Sequence, residues 1–229
     1  MKHTGDEKFW KEVEEGKWEP ETFKVLDMFC SDGKTFIDIG AWNGVLSFYA
    51  EQLGCICYAI EPDPIALAKL IKNIKLNNSK IKVSEICISA KNKDFELKTE
   101  HKNGFGNSMS SILDRSAVHD SITVKGMTLE HFIEHEEIQM QNVCLIKIDI
   151  EGGEIALLKQ AKKFLKKHKP IIYLSLHPFW FPDLEQDLND IADILFGIYN
   201  VKDTNGKEYN RSDFNEAVKS GVHSFILEA

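Results

Sequence analysis

Short apolar runs alternate along this chain with longer amphipathic ones, and most of the apolar runs stop at an acid, a serine or a histidine. Residues 36–39 form the first such run, short and apolar as a buried parallel strand is. A helix over 44–53 and a second strand over 55–61 follow. Pro64 suits a helix start, and Ile65, Ala66, Leu67, Leu70, Ile71, Ile74 and Leu76 carry that helix to Asn77 and Asn78. A third strand is expected over 81–89, a fourth over 143–150 and a fifth over 171–176. Helices are expected over 151–167 and 184–196, and segments 199–201 and 224–227 should pair antiparallel at a sheet edge. Residues 6–30 look amphipathic and helical, with interruptions around Gly16 and Pro20. Strands alternating with helices predict a doubly wound, mostly parallel α/β sheet that binds its ligand at the carboxyl ends of the strands.

Residues 90–127 break the rhythm, because Asn, Gly, Ser and Lys dominate there. Short strands are expected over 94–99 and 121–125, with a mobile glycine- and asparagine-rich loop over 102–107. Thr128 can cap a short helix that runs through His135. With no repeat and no composition break, residues 1–229 read as one domain, with a helical lead-in over 1–33 and an insertion-like region over 90–128.

The strand tips carry Asp38, Glu61, Ser89, Asp149 with Glu151, and His177. One such acid is often only a helix cap, but five polar tips converging on one crevice suggest a site. The first turn has the spacing Asp-x-Gly-x-x-x-Gly, through Asp38, Gly40 and Gly44. The dinucleotide fingerprint instead gathers three glycines around a pyrophosphate. An acid opening the turn would repel that group and suits a cationic ligand, such as a sulfonium with an amino group. Glu61, at the next tip, can accept hydrogen bonds from both hydroxyls of a ribose.

Lys147, Asp149 and Glu151 alternate, so they can point to one side of their strand. A lysine on an apolar strand needs a partner, and Asp149 or Glu151 can supply it. Gly152 and Gly153 allow a tight turn into the next helix. His177 could take a proton from a substrate hydroxyl near neutral pH. Phe179, Trp180 and Phe181 could wall an acceptor pocket or belong to the core.

The chain has 229 residues, 43% hydrophobic and 28% charged, with a formal net charge of −8. That length allows a sizeable core, and the acidic balance argues against a nucleic-acid partner. Lys159, Lys162, Lys163, Lys166, Lys167 and Lys169 crowd one helix end, where cations favour the helix dipole and a solvated face explains them. Five cysteines without a Cys-x-x-Cys pair suggest buried, reduced thiols. No apolar h-region opens the chain and no run spans a membrane, so a cytoplasmic protein without a membrane partner is expected. His131 and His135 match a His-x-x-Glu-His zinc pattern, but its setting favours a polar helix face with Phe132 and Ile133 turned to the core.

Several segments together resemble the FkbM family of S-adenosylmethionine-dependent methyltransferases. They are FIDIGAWNG (36–44), IEPDP (60–64), residues 108–113, LIKIDIEGGEIALLKQA (145–161) and IIYLSLHP (171–178). The family's Lys-x-Asp-x-Glu-Gly block matches as Lys147, Asp149, Glu151 and Gly152, with Glu154 as its continuation, and Trp18-Glu19-Pro20-Glu21 resembles the segment before the first strand. The resemblance implies a class I methyltransferase fold, Rossmann-like, with a seven-stranded, mostly parallel sheet and an antiparallel edge strand. It implies methyl transfer from S-adenosyl-L-methionine to a hydroxyl, often of a sugar, a glycan or a secondary metabolite. By the same resemblance the loop from Asp38 through Gly40 and Asn43 to Gly44 cradles the methionine part. Glu61 and Pro62 take the ribose, Ser89 and its neighbours the adenine, and Asp149 sits near the methyl group.

An O-methyltransferase is therefore the expected function, with Asp149, His177, Lys147 and Glu151 as the catalytic set. His177 or Asp149 is the general base and the other orients. No metal is placed in the site; a magnesium or manganese ion held by Asp149, Glu151 and His177 is the variant. The partner is a small-molecule or glycan acceptor, and the oligomeric state is open, a homodimer included. Two alternatives share part of the pattern. A nicotinamide-dependent oxidoreductase would want a third glycine and a tyrosine–lysine pair, and a non-catalytic cofactor-binding module could dispense with Lys147 and His177.

Overall fold

The computed structural model describes residues 2–99, 102, 104–113 and 119–229. Two lead-in helices, α1 (Glu7–Glu14) and α2 (Pro20–Phe29), precede β1 (Thr35–Ile39). There follow α3 (Val45–Gln52), β2 (Ile56–Ile60), α4 (Pro64–Asn77), β3 (Lys82–Ser84), β4 (Cys87–Ile88), β5 (Asp94–Thr99) and β6 (Asp120–Met127). The second half holds α5 (Leu129–His135), β7 (Val143–Ile148), α6 (Glu154–His168), β8 (Ile172–Ser175), α7 (Leu184–Leu195), β9 (Asn200–Asp203), β10 (Glu208–Tyr209), α8 (Arg211–Lys219) and β11 (Ser224–Glu228).

The main sheet runs β10-β9-β11-β8-β7-β1-β2-β3. Its five strands from β3 to β8 are parallel, and β11 enters antiparallel between β8 and β9. The sheet thus has eight strands where seven were expected. The additional one is the two-residue β10, a hairpin partner of β9 too short to leave a hydrophobic pattern. α8 was also missed, since only Phe214, Ala217 and Val218 of its nine residues are buried.

The expected strand over 81–89 is in fact two. β3 closes the edge of the main sheet, while β4 pairs with β6 in a separate three-stranded sheet, β4-β6-β5. One apolar run serves two sheets because the chain leaves the first ladder at Glu85. The helix expected from residue 151 starts at Glu154, because Glu151 (φ +53°) and Gly152 (φ +98°) form a left-handed turn first.

Strand alternation sorts the core into two layers. Ile37, Ile39, Ile146, Ile148, Ile172 and Leu174 face α5, α6 and α7. Phe36, Leu145 and Tyr173 face the opposite side, toward Val25, Leu26, Leu46 and Leu70 of α2, α3 and α4. Asp38 and Lys147 are the polar members of that second face. They are cross-strand partners in the β1–β7 ladder, so the two charges meet by register.

Asp63 holds the start of α4, accepting from Ile65 N at 2.9 Å and Ala66 N at 3.1 Å, with Pro64 at the first helical position. Such a cap contributes about 1 kcal/mol. All five cysteines are free thiols, and Cys30, Cys55, Cys57 and Cys87 are buried. The lysines at 162, 163, 166, 167 and 169 are exposed, and Lys159 pairs with Asp190 at 2.6 Å. Among the described residues no helix is long and apolar enough to cross a membrane.

Candidate active site

Gly40 closes β1 with φ +83°, and its N–H donates to Ile60 O at 3.0 Å. A Cβ at this position would stand 1.9 Å from the carbonyl oxygen of Asp149. Only glycine lets the β1 turn lie against the tip of β7. The next residue but one, Trp42, is itself left-handed (φ +49°) and donates its N–H to Glu61 Oε2 at 2.7 Å. Asp63 N donates to Glu61 Oε1 at 2.8 Å. Burial pushes the Glu61 carboxyl up to about 7, against those two N–H groups that favour its charged form. Each oxygen keeps a second lone pair for a ligand hydroxyl.

Beneath the turn, Lys147 is 3% exposed and links two carboxylates, Asp149 Oδ2 at 3.1 Å and Asp38 Oδ1 at 3.6 Å. It also donates to Gly40 O at 3.4 Å. Burial works against its charge, but Asp149, Asp38 and Glu19 together raise its pKa well above the usual lysine range. Asp38 accepts from Ser47 Oγ at 2.7 Å, and burial raises its pKa while Lys147 opposes the rise. Glu19 comes from the lead-in, in a left-handed conformation (φ 42°) before Pro20. Burial raises its pKa also, with Lys147 again opposing. Thr22 Oγ1 donates to Glu19 Oε2 at 3.0 Å and lies 3.1 Å from the Tyr173 hydroxyl, which ties α2 to β8.

At the adjacent tip, His177 sits among three carboxylates. Its Nδ1 lies 2.9 Å from Glu154 Oε1, and its Nε2 lies 3.5 Å from Asp149 Oδ1 and 3.6 Å from Glu151 Oε1. Glu154 is fully buried and its Oε1 also accepts from Ile150 N at 3.2 Å and Gly152 N at 3.1 Å. Burial alone would lower the pKa of His177; Glu154 first, then Glu151 and Asp149, outweigh it and raise it to about 9. The three carboxylates therefore favour the protonated imidazole.

These groups share one cleft. Glu19, Gly40, Trp42, Asn43, Glu61, Pro62, Lys147, Asp149, Glu151 and His177 line it. Its roof is the 104–113 loop, tied down at Asp63 Oδ2 by Gly106 N (2.7 Å) and Ser110 Oγ (2.8 Å), and at Glu151 O by Ser111 Oγ (2.7 Å). Residue 103 of the loop read as mobile lies outside the described residues. Three of the six non-glycine residues with positive φ among those described, Glu19, Trp42 and Glu151, are on the cleft wall. Such backbone costs about 1–3 kcal/mol per residue and tends to persist at functional sites.

Some expected site residues are elsewhere. Ser89 does not line the cleft, and its hydroxyl donates to Lys91 O at 3.0 Å; Ile86, Cys87 and Ile88 form the apolar wall instead. Gly44 serves packing, since a Cβ there would meet Leu70 at 2.4 Å. The three aromatics after His177 divide: Phe181 joins the core, Phe179 is 60% exposed and Trp180 packs beside Gly152. His131 and His135 are exposed on α5, with Phe132 and Ile133 buried behind them. Sequence reasoning overlooked Glu19, Trp42 and Asp63 as individuals, although all three lie in motifs it singled out.

The family described as the methyltransferase FkbM domain matches residues 38–209. The crystal structure of a methyltransferase FkbM from Methylobacillus flagellatus KT superposes with a TM-score of 0.50 at 18% identity, over 87% of this chain and 44% of that one. A ribosomal protein L11 methyltransferase of Campylobacter hominis is 29% identical over 84 residues, 34% of this chain and 28% of its own length. The chain thus spans less than half the length of either relative.

Proposed function

The chain belongs to the FkbM family of S-adenosylmethionine-dependent methyltransferases, with S-adenosylmethionine as cofactor, and on that premise we propose that it methylates a hydroxyl oxygen of a small polar acceptor such as a sugar, a glycan or a secondary metabolite. The observation that carries this reading is the single cleft in which a ribose-type acid, Glu61, and the Asp149–Glu151–His177 cluster face one ligand space. The family match sets aside the nicotinamide-dependent alternative.

The residues present fit the cofactor. Gly40 leaves room where any Cβ would collide, and Glu61 has lone pairs for ribose hydroxyls. Asn43 is on the cleft wall and its buried Oδ1 has no hydrogen-bond partner among the described residues. Glu19, Asp38 and Asp149 against Lys147 leave negative charge for the cationic amino-acid end. Bound S-adenosylmethionine supplies a methyl group already activated on sulfur, which leaves with the C–S electron pair remaining on the thioether.

The protein's task is then alignment and removal of one proton. Lys147 holds Asp149 through Oδ2, which leaves Oδ1 toward the His177 side of the cleft. We assign Asp149 Oδ1 as the acceptor of the hydroxyl proton, because the carboxylates around His177 favour its protonated form. His177 and Glu151 orient the acceptor. The test is transfer of labelled methyl from S-adenosylmethionine to a panel of sugars and hydroxylated metabolites, with calorimetry for adenosylhomocysteine. Binding of the cofactor product without transfer to any hydroxyl would leave the non-catalytic module standing.

A further inference from the structure

We propose that Asp149 Oδ1, Glu151 Oε1 and His177 Nε2 form a binding site for one divalent cation, of the manganese type, at the acceptor end of the cleft. For its role in turnover the inference rests on the methyl-transfer reading; the binding itself does not.

The spacing is the first argument. Nε2 stands 3.5 and 3.6 Å from two oxygens of different carboxylates, and the three ligand atoms lie within 4.8 Å of one another. These distances are long for good hydrogen bonds, which cluster near ~2.9 Å. They are the distances two ligands keep when they share an ion. A cation about 2.1–2.2 Å from each ligand, at angles of about 90–110°, holds them roughly 3.0–3.6 Å apart.

The second argument is the tautomer. Glu154 Oε1 accepts from two backbone N–H groups, so it is an acceptor toward His177 Nδ1 as well. With Nδ1–H fixed, Nε2 is the atom that holds either a second proton or a metal. A carboxylate behind the far nitrogen of a metal-binding histidine is the usual outer-sphere arrangement. Here that carboxylate is fully buried and so well positioned.

The third argument is charge. Asp149 and Glu151 bring two carboxylates to the one imidazole nitrogen, and carboxylates that converge on one point suit a divalent ion. Asp149 can serve the ion with Oδ1 while Oδ2 stays on Lys147. One nitrogen with two oxygens suits a first-row divalent ion better than calcium. Such an ion would bind the acceptor hydroxyl and lower its pKa.

The experiment is Mn2+ titration of the chelator-treated protein, with and without adenosylhomocysteine, followed by electron paramagnetic resonance of free Mn2+. One ion per chain is expected, with affinity lowered at least about 10-fold in Glu151→Gln and in His177→Gln, and about 10–100-fold in the positioning variant Glu154→Gln. Thermal melts identify any variant that has not folded. No saturable Mn2+ binding to the wild-type protein, or binding indifferent to both Glu151→Gln and His177→Gln, overturns the site. If Mn2+ binds as expected but no hydroxyl acceptor is methylated, the site stands and the O-methylation reading fails. If transfer proceeds in full in chelator and no Mn2+ binds, that reading stands and the site falls.

Discussion

Lys147 lies directly across from Asp38 in the β1–β7 ladder, with Nζ 3.6 Å from Asp38 Oδ1 and 3.1 Å from Asp149 Oδ2. Register therefore delivers one buried cation between the acids of two neighbouring strand tips. Lys147→Met keeps the apolar stem and removes only the charge. It leaves Asp38 and Asp149 without their partner, and breaking a buried pair in this way costs about 3–5 kcal/mol. Urea unfolding of the variant should show a loss of that order, partly recovered in Lys147→Met with Asp38→Asn. An unchanged midpoint would mean that the carboxylates are neutral in the native protein.

Gly40 offers a sharper steric test. Gly40→Ala forces a Cβ to within 1.9 Å of the Asp149 carbonyl oxygen, on a backbone with φ +83°. Gly33 has φ +73° but nothing within 4 Å of its imagined Cβ. Gly33→Ala should therefore cost only the left-handed backbone term, about 1–2 kcal/mol. Gly40→Ala should cost clearly more in chemical denaturation and should also lose adenosylhomocysteine binding in calorimetry. Equal costs would separate the β1 turn from the β7 tip.

Glu61 should dominate cofactor affinity. Its two oxygens already accept from Trp42 N and Asp63 N, so the carboxylate is fixed before any ligand arrives. Glu61→Ala should weaken adenosylhomocysteine binding by about 1.5–3 kcal/mol, the scale of hydrogen bonds to a charged acceptor. Calorimetry on folded variant decides this, and an unaltered affinity removes Glu61 from the ribose role.

The same residue gives a pH dependence. Its carboxyl moves from 4.5 unfolded to about 7 folded. The folded protein thus holds a proton that the unfolded chain releases. The contribution of Glu61 to stability is complete below pH 4.5 and is lost as pH rises toward 7. Ribose hydroxyls favour the ionised form, so cofactor binding should strengthen over that interval and release protons. Calorimetry in two buffers of different ionisation enthalpy measures the release; a zero difference near neutrality, in wild type and Glu61→Gln alike, would contradict it.

Much of this was legible because the pattern and the chemistry coincide at strand tips. The apolar runs located β1, β2, β7 and β8, and the polar residues Glu61, Asp149 and His177 that end such runs marked the cleft wall, whereas Asp38 is buried beneath it and Ser89 lies off it. Ser89 lies off the wall because the run 81–89 divides between two sheets, so its end is not a tip of the main sheet. Asp149 and His177 were expected on neighbouring tips and lie 3.5 Å apart through their side chains. Glu19 was not legible, since its place depends on a left-handed turn and on α2 being held by Thr22 and Tyr173 across 151 residues of sequence. The carboxylate behind His177 was hidden for a related reason. Glu154 lies at the buried start of α6, and the turn that points it at the imidazole cannot be read from spacing alone.

Asp149 is the residue on which catalysis should turn. Asp149→Asn keeps the shape, removes the charge facing Lys147 and His177, and takes away both the proton acceptor and an anionic ligand. Turnover should fall by about 10²–10⁴-fold, the usual share of a general base, while adenosylhomocysteine still binds. His177→Gln should also slow transfer, but it removes a cation from three carboxylates and so should lower thermal stability at neutral pH as well. The two effects separate in a plot of turnover against stability for His177→Gln, Glu154→Gln and the double variant. If Glu154 acts only through His177, the double variant is no slower than His177→Gln. Full turnover in Asp149→Asn would return the proton to another group, and Glu151, 3.6 Å from the same imidazole nitrogen, would be the next residue to replace.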